Sequence, residues 1–415
     1  MKHSGLILRQ IIVVLILLSI NVSAQESYKT VVGKITDKSL GDVLSFASVN
    51  VLNTNIATVS NTDGEFIIKI PSDLHSAVIQ IQYVGYKDLQ LPVSAIGDKK
   101  LKIELEPVSV ELPEVSVISK DADALIEAMF AKRAENYSGQ QSRLTAFYRE
   151  TIKRNNSYAS LAEAVVDVRK FPYTTYRHDK VAIFKARKQT DYQKVDTVMF
   201  KLMGGPYTSL YLDVMKYPDM IFTDEMFKKY DFNFERSTKL DKRLVYVISF
   251  KPKADVEEPL YYGQLFIDAQ TTALKTAIFK LDLKNIEEAT RMFVIRKPQN
   301  ATVFPVETNY RVDFSESGGK WYFSYSRIEL ALKVDWKRRL FNTVFHSTIE
   351  MAVTNRTNNI TDDVESENTQ PLRQKAIIAD EIKGFADPDF WGEFNVIEPE
   401  KPIEVIIHKI RRKMK

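Results

Sequence analysis

Residues 31–86 constrain the fold more than any other stretch, because they read as short strands separated by turns. Asn-Thr-Asp-Gly at 61–64 predicts a tight reversal, since Asn, Asp and Gly tolerate the backbone angles that such a turn needs. The run 66–70 predicts a strand, which Pro71 ends. Residues 79–83 alternate with a period of two, and Gly85 closes them. The pattern predicts a small β-sandwich.

The same stretch resembles a known module. Gly-Lys-Ile-Thr-Asp at 33–37, Leu-Ser-Phe-Ala-Ser-Val at 44–49, Thr-Asp-Gly-Glu-Phe at 62–66 and Tyr-Val-Gly-Tyr at 83–86 are similar to the carboxypeptidase-D regulatory-like domain. The resemblance implies a transthyretin-like sandwich of the seven-stranded type, over residues 26–107. It also implies a setting, because such modules are common at the N-terminus of Gram-negative envelope proteins. The module is not itself catalytic in those proteins.

Composition sets broad limits on the rest of the chain. Its 415 residues, 44% of them hydrophobic, predict two or three globular domains. The 58 Lys and Arg nearly balance the 54 Asp and Glu, so no nucleic-acid partner is expected. The absence of cysteine excludes thiol catalysis, zinc–thiolate sites and disulfides.

Residues 1–24 predict a signal peptide. Lys2 and Arg9 precede an apolar run at 11–18, and small or modest residues at 22–24 stand before Gln25. An uncleaved membrane anchor is the alternative, but the apolar run is short for a membrane span. We therefore expect an exported protein, in the periplasm or at the periplasmic face of the outer membrane.

The remaining residues predict a linker, a large second domain and a C-terminal tail. The run 106–119 contains two prolines and predicts an extended connector, with the linker at residues 108–120. Residues 121–137 predict a helix with one apolar face, and with Asp121 near its N-terminus. Residues 121–399 together predict a helix plus an antiparallel β domain, which would be a sheet or half-barrel with packing helices. Residues 400–415 predict an amphipathic helix and a basic tail.

Several elements of this domain can be placed from the pattern. Residues 260–268 and 274–281 predict a hairpin across 269–272. Short helices or ordered loops are predicted at 211–217 and 224–230. The two strands 327–336 and 345–353 alternate between apolar and polar residues, which predicts a sheet that is wet on one side. The residues assigned to the polar face include Arg327, Glu329, Lys333, Asp335 and Glu350.

The order of these strands is similar to the half-barrel of periplasmic lipoprotein carriers, in which a curved sheet can hold acyl chains. Residues 144–150 and 390–399 resemble segments of envelope proteins of unassigned function. The aromatic-rich segment 383–399 has two interpretations, an aromatic binding platform or an irregular segment pinned by its aromatics. The basic tail could contact anionic lipid or complement a helix dipole.

No catalytic motif is present in the sequence. Zinc carboxypeptidases need a His-x-x-Glu pair, but His75, His178, His346 and His408 are followed three residues later by Val, Val, Ile and Arg. A Gly-x-Ser-x-Gly elbow and a Gly-rich phosphate loop are also absent. We therefore assign no catalytic, cofactor-binding or metal-ligating residue and expect no cofactor.

The sequence thus predicts an exported, non-enzymatic binding or scaffolding protein of the Gram-negative envelope. Its expected partner is an envelope protein or a lipid or glycan ligand, with peripheral association to the outer membrane. One alternative is a periplasmic carrier that holds an apolar ligand in the curved sheet. A second is an envelope hydrolase acting on glycan or peptide, which would need carboxylates, or a histidine with acids, that converge in one cleft.

Overall fold

The computed structural model describes residues 28–97, 99–108, 121–155, 157–190, 205–240, 243–293, 301–337, 342–358, 371–374, 376, 378–381, 391–400 and 403. The predicted signal peptide, residues 109–120 of the linker, residues 383–390 of the aromatic segment and nearly all of the C-terminal helix and tail lie outside these residues. The described chain is mainly β, as predicted. None of its helices has both the length and the apolar character needed to cross a membrane.

The N-terminal strands form a sandwich of two sheets, in the orders β4-β1-β7 and β3-β2-β5-β6. Strand β1 pairs antiparallel with β4 and parallel with β7. Side chains from both sheets, among them Ile35, Phe66, Ile68 and Ile81, are fully buried in one core. The predicted seven-stranded sandwich is therefore confirmed. Its strands are β1 (Tyr28–Asp37), β2 (Ser48–Val51), β3 (Ala57–Val59), β4 (Glu65–Pro71), β5 (Val78–Gln82), β6 (Leu89–Pro92) and β7 (Leu101–Leu105).

The predicted turn at 61–64 is held in its conformation by the side chain of Asn61. The Asn61 carboxamide oxygen accepts the backbone N–H groups of Asp63 and Glu65, each at 2.9 Å. Gly64 adopts a φ of +73°, and a Cβ there would lie 2.6 Å from the carbonyl oxygen of Ile35. Glycine is therefore required at this position, both for its backbone angle and for the close approach of β1.

The rest of the chain builds one ten-stranded antiparallel sheet, in the order β10-β9-β8-β17-β16-β15-β14-β13-β12-β11. Strands β10 and β11 form its two edges. The sheet confirms the predicted large antiparallel domain. Its strands are β8 (Ser142–Arg154), β9 (Ser157–Lys170), β10 (Lys180–Thr190), β11 (Tyr230–Leu240), β12 (Arg243–Pro252), β13 (Tyr261–Asp268), β14 (Leu274–Leu281), β15 (Ala301–Ser317), β16 (Lys320–Trp336) and β17 (Thr343–Asn358).

Two hairpins of this sheet follow from local turn chemistry. Strands β13 and β14 pair as predicted, with Tyr261 opposite Leu281. Strands β15 and β16 are joined by Gly318 and Gly319, whose φ angles of 60° and 76° both lie in the left-handed region. A two-residue turn with two positive φ angles matches the right-handed twist of the strands that it joins.

Helices pack on one face of the sheet and bury its apolar side chains. Asp121 caps the first helix, since its carboxylate accepts the N–H of Ala124 at 3.1 Å. Ile126, Leu210 and Phe222 from this layer share a core with sheet residues such as Val166. The helices are α1 (Ala122–Ala131), α2 (Arg133–Asn136), α3 (Pro206–Tyr211), α4 (Asp224–Phe227), α5 (Ile286–Phe293) and α6 (Ile378–Glu381), and 3-10 turns lie at Val93–Ala95 and Pro218–Met220.

One helix prediction needs correction. The helix predicted over 121–137 breaks at Lys132, and Tyr137 is fully buried in extended backbone beyond α2. Of residues 211–217, predicted as a short helix or an ordered loop, Tyr211 ends α3, which begins at Pro206, and the others form a loop with turns. Proline is suited to the first helical position, where it needs no N–H partner.

Candidate functional site

The second face of the ten-stranded sheet, opposite the helices, is covered by the sandwich and by residues 391–400. Phe46 and Val59 of the sandwich share an apolar cluster with Phe147, Tyr325 and Trp391. Phe46 has a φ of 64°, in the left-handed region. Its ring stacks on Tyr325, with centroids 6.2 Å apart.

A row of charged side chains crosses five strands under this cover. This charged row consists of Arg187 on β10, Glu163 on β9, Arg149 on β8, Glu350 on β17 and Arg327 on β16. Each of these residues stands directly opposite the next one on the neighbouring strand. Arg187 donates to Glu163 at 2.6 Å, Arg149 donates to Glu163 at 2.8 Å and Arg327 lies 2.5 Å from Glu350. The charged row alternates in sign and is buried throughout, at 5% exposure for Arg187, 0% for Glu163, 2% for Arg149, 4% for Glu350 and 7% for Arg327.

Opposite charges within the charged row favour the ionised forms of Glu163 and Arg149. Burial alone would raise the pKa of Glu163, but the guanidiniums of Arg149 and Arg187 hold it below its usual value. Burial likewise opposes the charge on Arg149, and Glu163 and Glu350 together raise its pKa. Because buried ions cost free energy unless they are paired, the whole row depends on each member being present.

The charged row corrects the prediction of a sheet that is wet on one side. Arg327 and Glu350 were assigned to a solvent face, but the guanidinium of Arg327 lies 4.4 Å from the ring centroid of Phe46. The Arg149 Nη2 donates to the carbonyl oxygen of Ile397 at 2.7 Å. Alternation revealed the two faces of the strands correctly, but the cover comes from distant parts of the chain.

Residues 391–400, here called the strap, connect the sandwich to the sheet. Thr58 donates through Oγ1 to the carbonyl of Val396 at 3.1 Å. The backbone N–H of Lys69 donates to Asn395 Oδ1 at 2.6 Å, and the Asn395 amide donates back to the Lys69 carbonyl at 3.1 Å. Trp391 is 7% exposed. Within the described residues, the structure therefore favours the pinned segment over the aromatic platform.

An open cleft of about 480 Å³ lies between the sandwich and the sheet. Apolar contacts between the sandwich and the ten-stranded sheet border this cleft. Phe46, Val59 and Val84 line it, and Val84 packs beside Val247 and Phe266 of the sheet. The cleft walls include Ser48, Asn50, Gln80, Gln82 and Tyr83 of the sandwich, and Lys275, Thr276, Arg311, Asp313, Glu316, Trp321 and Arg356 of the sheet.

The sandwich wall of the cleft carries a connected set of amides. The Asn50 Nδ2 lies 3.0 Å from Ser48 Oγ and 3.3 Å from Gln82 Oε1. Gln80 and Gln82 both donate to Asp88 Oδ2, at 3.0 and 3.1 Å. These side chains alternate outward from β2 and β5, because the residues between them fill the sandwich core.

The sheet wall contributes charges. Both oxygens of Asp313 are held, Oδ2 by Arg311 Nε at 2.7 Å and Oδ1 by Thr276 at 2.7 Å. Both oxygens of Glu316 are also held, one by Arg243 at 3.0 Å and one by the N–H of Gly319 at 2.6 Å.

Two cations of the cleft are strongly buried. Lys275 is 9% exposed, and burial lowers its pKa to about 8 against the opposing charges of Asp88, Asp313 and Glu316.

Arg356 is the second buried cation, at 8% exposure, and burial lowers its pKa. Its Nη2 donates to Asn55 Oδ1 at 3.0 Å, and its guanidinium lies 3.5 Å from the ring centroid of Tyr322. Among the described residues, its Nε has no hydrogen-bond partner.

No three His, Cys, Asp or Glu side chains gather in the described part of the chain in a way that could hold a metal ion. His178 stacks on Tyr217, with centroids 5.8 Å apart. A separate buried cluster on the helix side pairs Lys170 with Asp179 and Asp213, each at 2.8 Å. The sequence analysis identified neither this cluster nor the cleft, because their members come from distant strands.

Comparison with known proteins identifies part of the chain. Residues 31–117 match the family described as CarboxypepD_reg-like domain, which confirms the resemblance of this region. No curated protein matches the chain.

Solved structures give only distant similarity. The chain is similar to a DUF1329 family protein from Desulfovibrio piger (11% identity, 58% of this chain and 95% of that chain, TM-score 0.25). It is similar to a protein of unknown function from Bacteroides fragilis (9% identity, 79% and 98%, TM-score 0.16) and to lipovitellin (7% identity, 55% and 26%, TM-score 0.26). TM-scores this low carry no argument about function.

Proposed function

We propose that the protein is an exported, non-enzymatic binding protein of the Gram-negative cell envelope, and that it takes a polar ligand in the cleft. The observation that carries this proposal is the cleft itself, about 480 Å³ in volume and bordered by two bodies with different polar walls. Ligand sites of this size are typically concave, and they occur at the junctions between domains.

The matched domain supports a binding role over catalysis. The family of the regulatory-like domain is non-catalytic. The hydrolase alternative needs carboxylates that are available in one cleft, but the two that line this cleft, Asp313 and Glu316, have every oxygen already bonded. A general acid or base must reach the proton that it moves, and these carboxylates are committed elsewhere.

The carrier alternative finds less support. Its ligand would lie against the apolar face of the sheet, but α1, α3 and the residues around Phe222 already pack there. Fully buried side chains such as Ile126 and Leu210 occupy the space that an acyl chain would need. Among the described residues, the polar cleft is therefore the better candidate site.

Export and attachment to the envelope remain part of the proposal. The basic start, the apolar run at 11–18 and the small residues before Gln25 support export. Peripheral association with the outer membrane, through an envelope protein or a lipid or glycan ligand, would bring the cleft to its partner.

Cell fractionation and native purification test the proposal together. We expect the protein in the envelope fraction, with a mass that is reduced by the leader. We also expect a polar molecule to co-purify with the wild type but not with an Asn50→Trp variant, whose indole fills the cleft. Lys102→Trp, at an exposed position of β7, is the matched control. A cytoplasmic protein, or equal retention by all three forms, would refute the proposal.

A further inference from the structure

The cleft contains a positive charge that the described protein does not neutralise. Arg356 is 8% exposed and lines the cleft, yet its contacts within the described residues are a carboxamide and an aromatic ring. A guanidinium stays protonated in proteins, so it cannot escape this cost by losing its proton. Buried charges are normally paired, which makes an anion the missing partner.

Asn55 of the sandwich holds Arg356 of strand β17 through two hydrogen bonds. The Asn55 amide donates to the Arg356 carbonyl at 2.6 Å, while its oxygen accepts from Arg356 Nη2 at 3.0 Å. The side chain is also stacked on Tyr322. A guanidinium that is held in this way loses little conformational entropy when an anion binds.

The opposite wall of the cleft suits neutral hydroxyl groups. Gln80 and Gln82 each donate one N–H to Asp88 and keep a second N–H for a ligand, and the carbonyl oxygens of Asn50, Gln80 and Gln82 can each accept a further hydrogen bond. A sugar hydroxyl also donates and accepts, so it can bond to either end of these amides. The half-buried ring of Tyr83 lines the same wall and can pack against the C–H face of a sugar.

We propose that the cleft binds an acidic glycan, with the carboxylate of one sugar at Arg356 and the hydroxyls of its neighbours along Asn50, Gln80 and Gln82. This inference rests on the proposed binding function and narrows it to one class of ligand. Charge-assisted hydrogen bonds to the carboxylate supply much of the affinity, and the amides distinguish a glycan from an isolated anion.

Calorimetric titration of the purified protein tests the inference. The probes are tetragalacturonate, the same tetrasaccharide with its carboxyl groups reduced to alcohols, and triglutamate as an acidic peptide. We expect the reduced sugar and the peptide to bind at least tenfold more weakly than tetragalacturonate, which corresponds to the loss of about one charge-assisted contact.

Substitutions distinguish the loss of the Arg356 charge from a general loss of folded structure. Arg356→Gln should abolish the preference for the acidic sugar, while Arg356→Lys should retain part of it. Arg236→Gln, at an exposed arginine of edge strand β11, should change nothing. Gln82→Ala should weaken acidic and neutral sugars alike, which keeps the test valid if Arg356→Gln unfolds.

The outcomes distinguish this inference from the proposed function. Equal binding of the acidic and reduced sugars, or no binding of tetragalacturonate, overturns the acidic glycan. Tighter binding of triglutamate overturns it in favour of a peptide ligand. Each of these results leaves the co-purification test with Asn50→Trp to decide separately whether the cleft binds any molecule.

Discussion

Arg149 and Glu163 stand directly opposite each other on β8 and β9, and the guanidinium contacts one carboxylate oxygen through both Nε at 2.8 Å and Nη2 at 2.7 Å. Arg187 takes the other oxygen, from Nε at 2.6 Å. Glu163 therefore joins three strands through one fully buried carboxylate. Such a group stabilises the fold only as long as both cations remain.

Removal of this carboxylate should be among the most destabilising changes in the protein. Glu163→Ala leaves Arg149 and Arg187 buried without their partner, which should cost about 3–5 kcal/mol in the free energy of unfolding. Urea titration measures the change. Glu106→Ala, which removes a half-exposed partner of Lys38, is the control and should cost far less, because solvent screens an exposed ion pair. Similar losses from the two variants would contradict the proposed role of the charged row.

Glu150 should make the stability of the protein depend on pH. Burial raises its pKa to about 7 from an unfolded value near 4.5, with Tyr148 as the hydrogen-bond donor that opposes the shift. The folded state thus holds a proton that the unfolded state loses. The contribution of Glu150 is fully present below pH 4.5 and is lost as pH rises through 7, by about 3 kcal/mol.

Denaturant titrations at pH 5 and pH 8 check this dependence. Glu150→Gln cannot ionise, so the variant should lose less stability than the wild type between the two values. Glu135→Gln, at an exposed position of α2, should follow the wild type. Identical pH profiles for Glu150→Gln and the wild type would show that this carboxyl titrates normally.

The strap should be needed for the stability of both bodies. Ile397 is fully buried and its carbonyl accepts from Arg149, so Ile397→Ala leaves a cavity beside the charged row. We expect a loss of about 2–5 kcal/mol. Limited proteolysis should also cut the sandwich faster in this variant. Glu393→Ala, at an exposed strap position, is the control. An equal loss of stability in both variants would show that the buried side chain of Ile397 is not what the strap contributes.

The hairpin of β13 and β14 should not tolerate a side chain at Gly263. A Cβ there would lie 2.1 Å from the carbonyl oxygen of Ile278 and 2.6 Å from the Cα of Phe279, both backbone atoms. Gly263→Ala should therefore lower the melting temperature by several degrees. Gly97→Ala, with no atom within 4 Å of the new Cβ, should leave the melting temperature almost unchanged.

Local chemistry made the sandwich and the hairpins predictable. Asn61 and Gly64 form their turn within a few residues, and the strands beside them alternate with a clean period of two. The hairpin around 269–272 follows from the same kind of short-range signal. The turn at 61–64 and the hairpin around 269–272 are each specified by neighbouring residues, whereas the pairing of β1 with β7 joins residues far apart in the sequence.

The charged row and the cleft could not be predicted in the same way. Arg327 reads as a solvent-facing residue because alternation tells which face a side chain takes, but not what later covers that face. Its cover includes Phe46, far away in sequence. The cleft likewise brings Asn55 to Arg356, 301 residues away along the chain, and no periodicity encodes such a pairing.

The position of the strap in the sequence has a consequence for the order of assembly. Thr58 and Val396 are bonded across 338 positions, so the N-terminal module acquires this neighbour only after the whole ten-stranded sheet has been synthesised. Until then the guanidiniums and carboxylates of the central strands remain hydrated. A nascent polypeptide that has not yet reached the strap would therefore hold its two halves apart, and their docking becomes a late event that depends on residues 391–400.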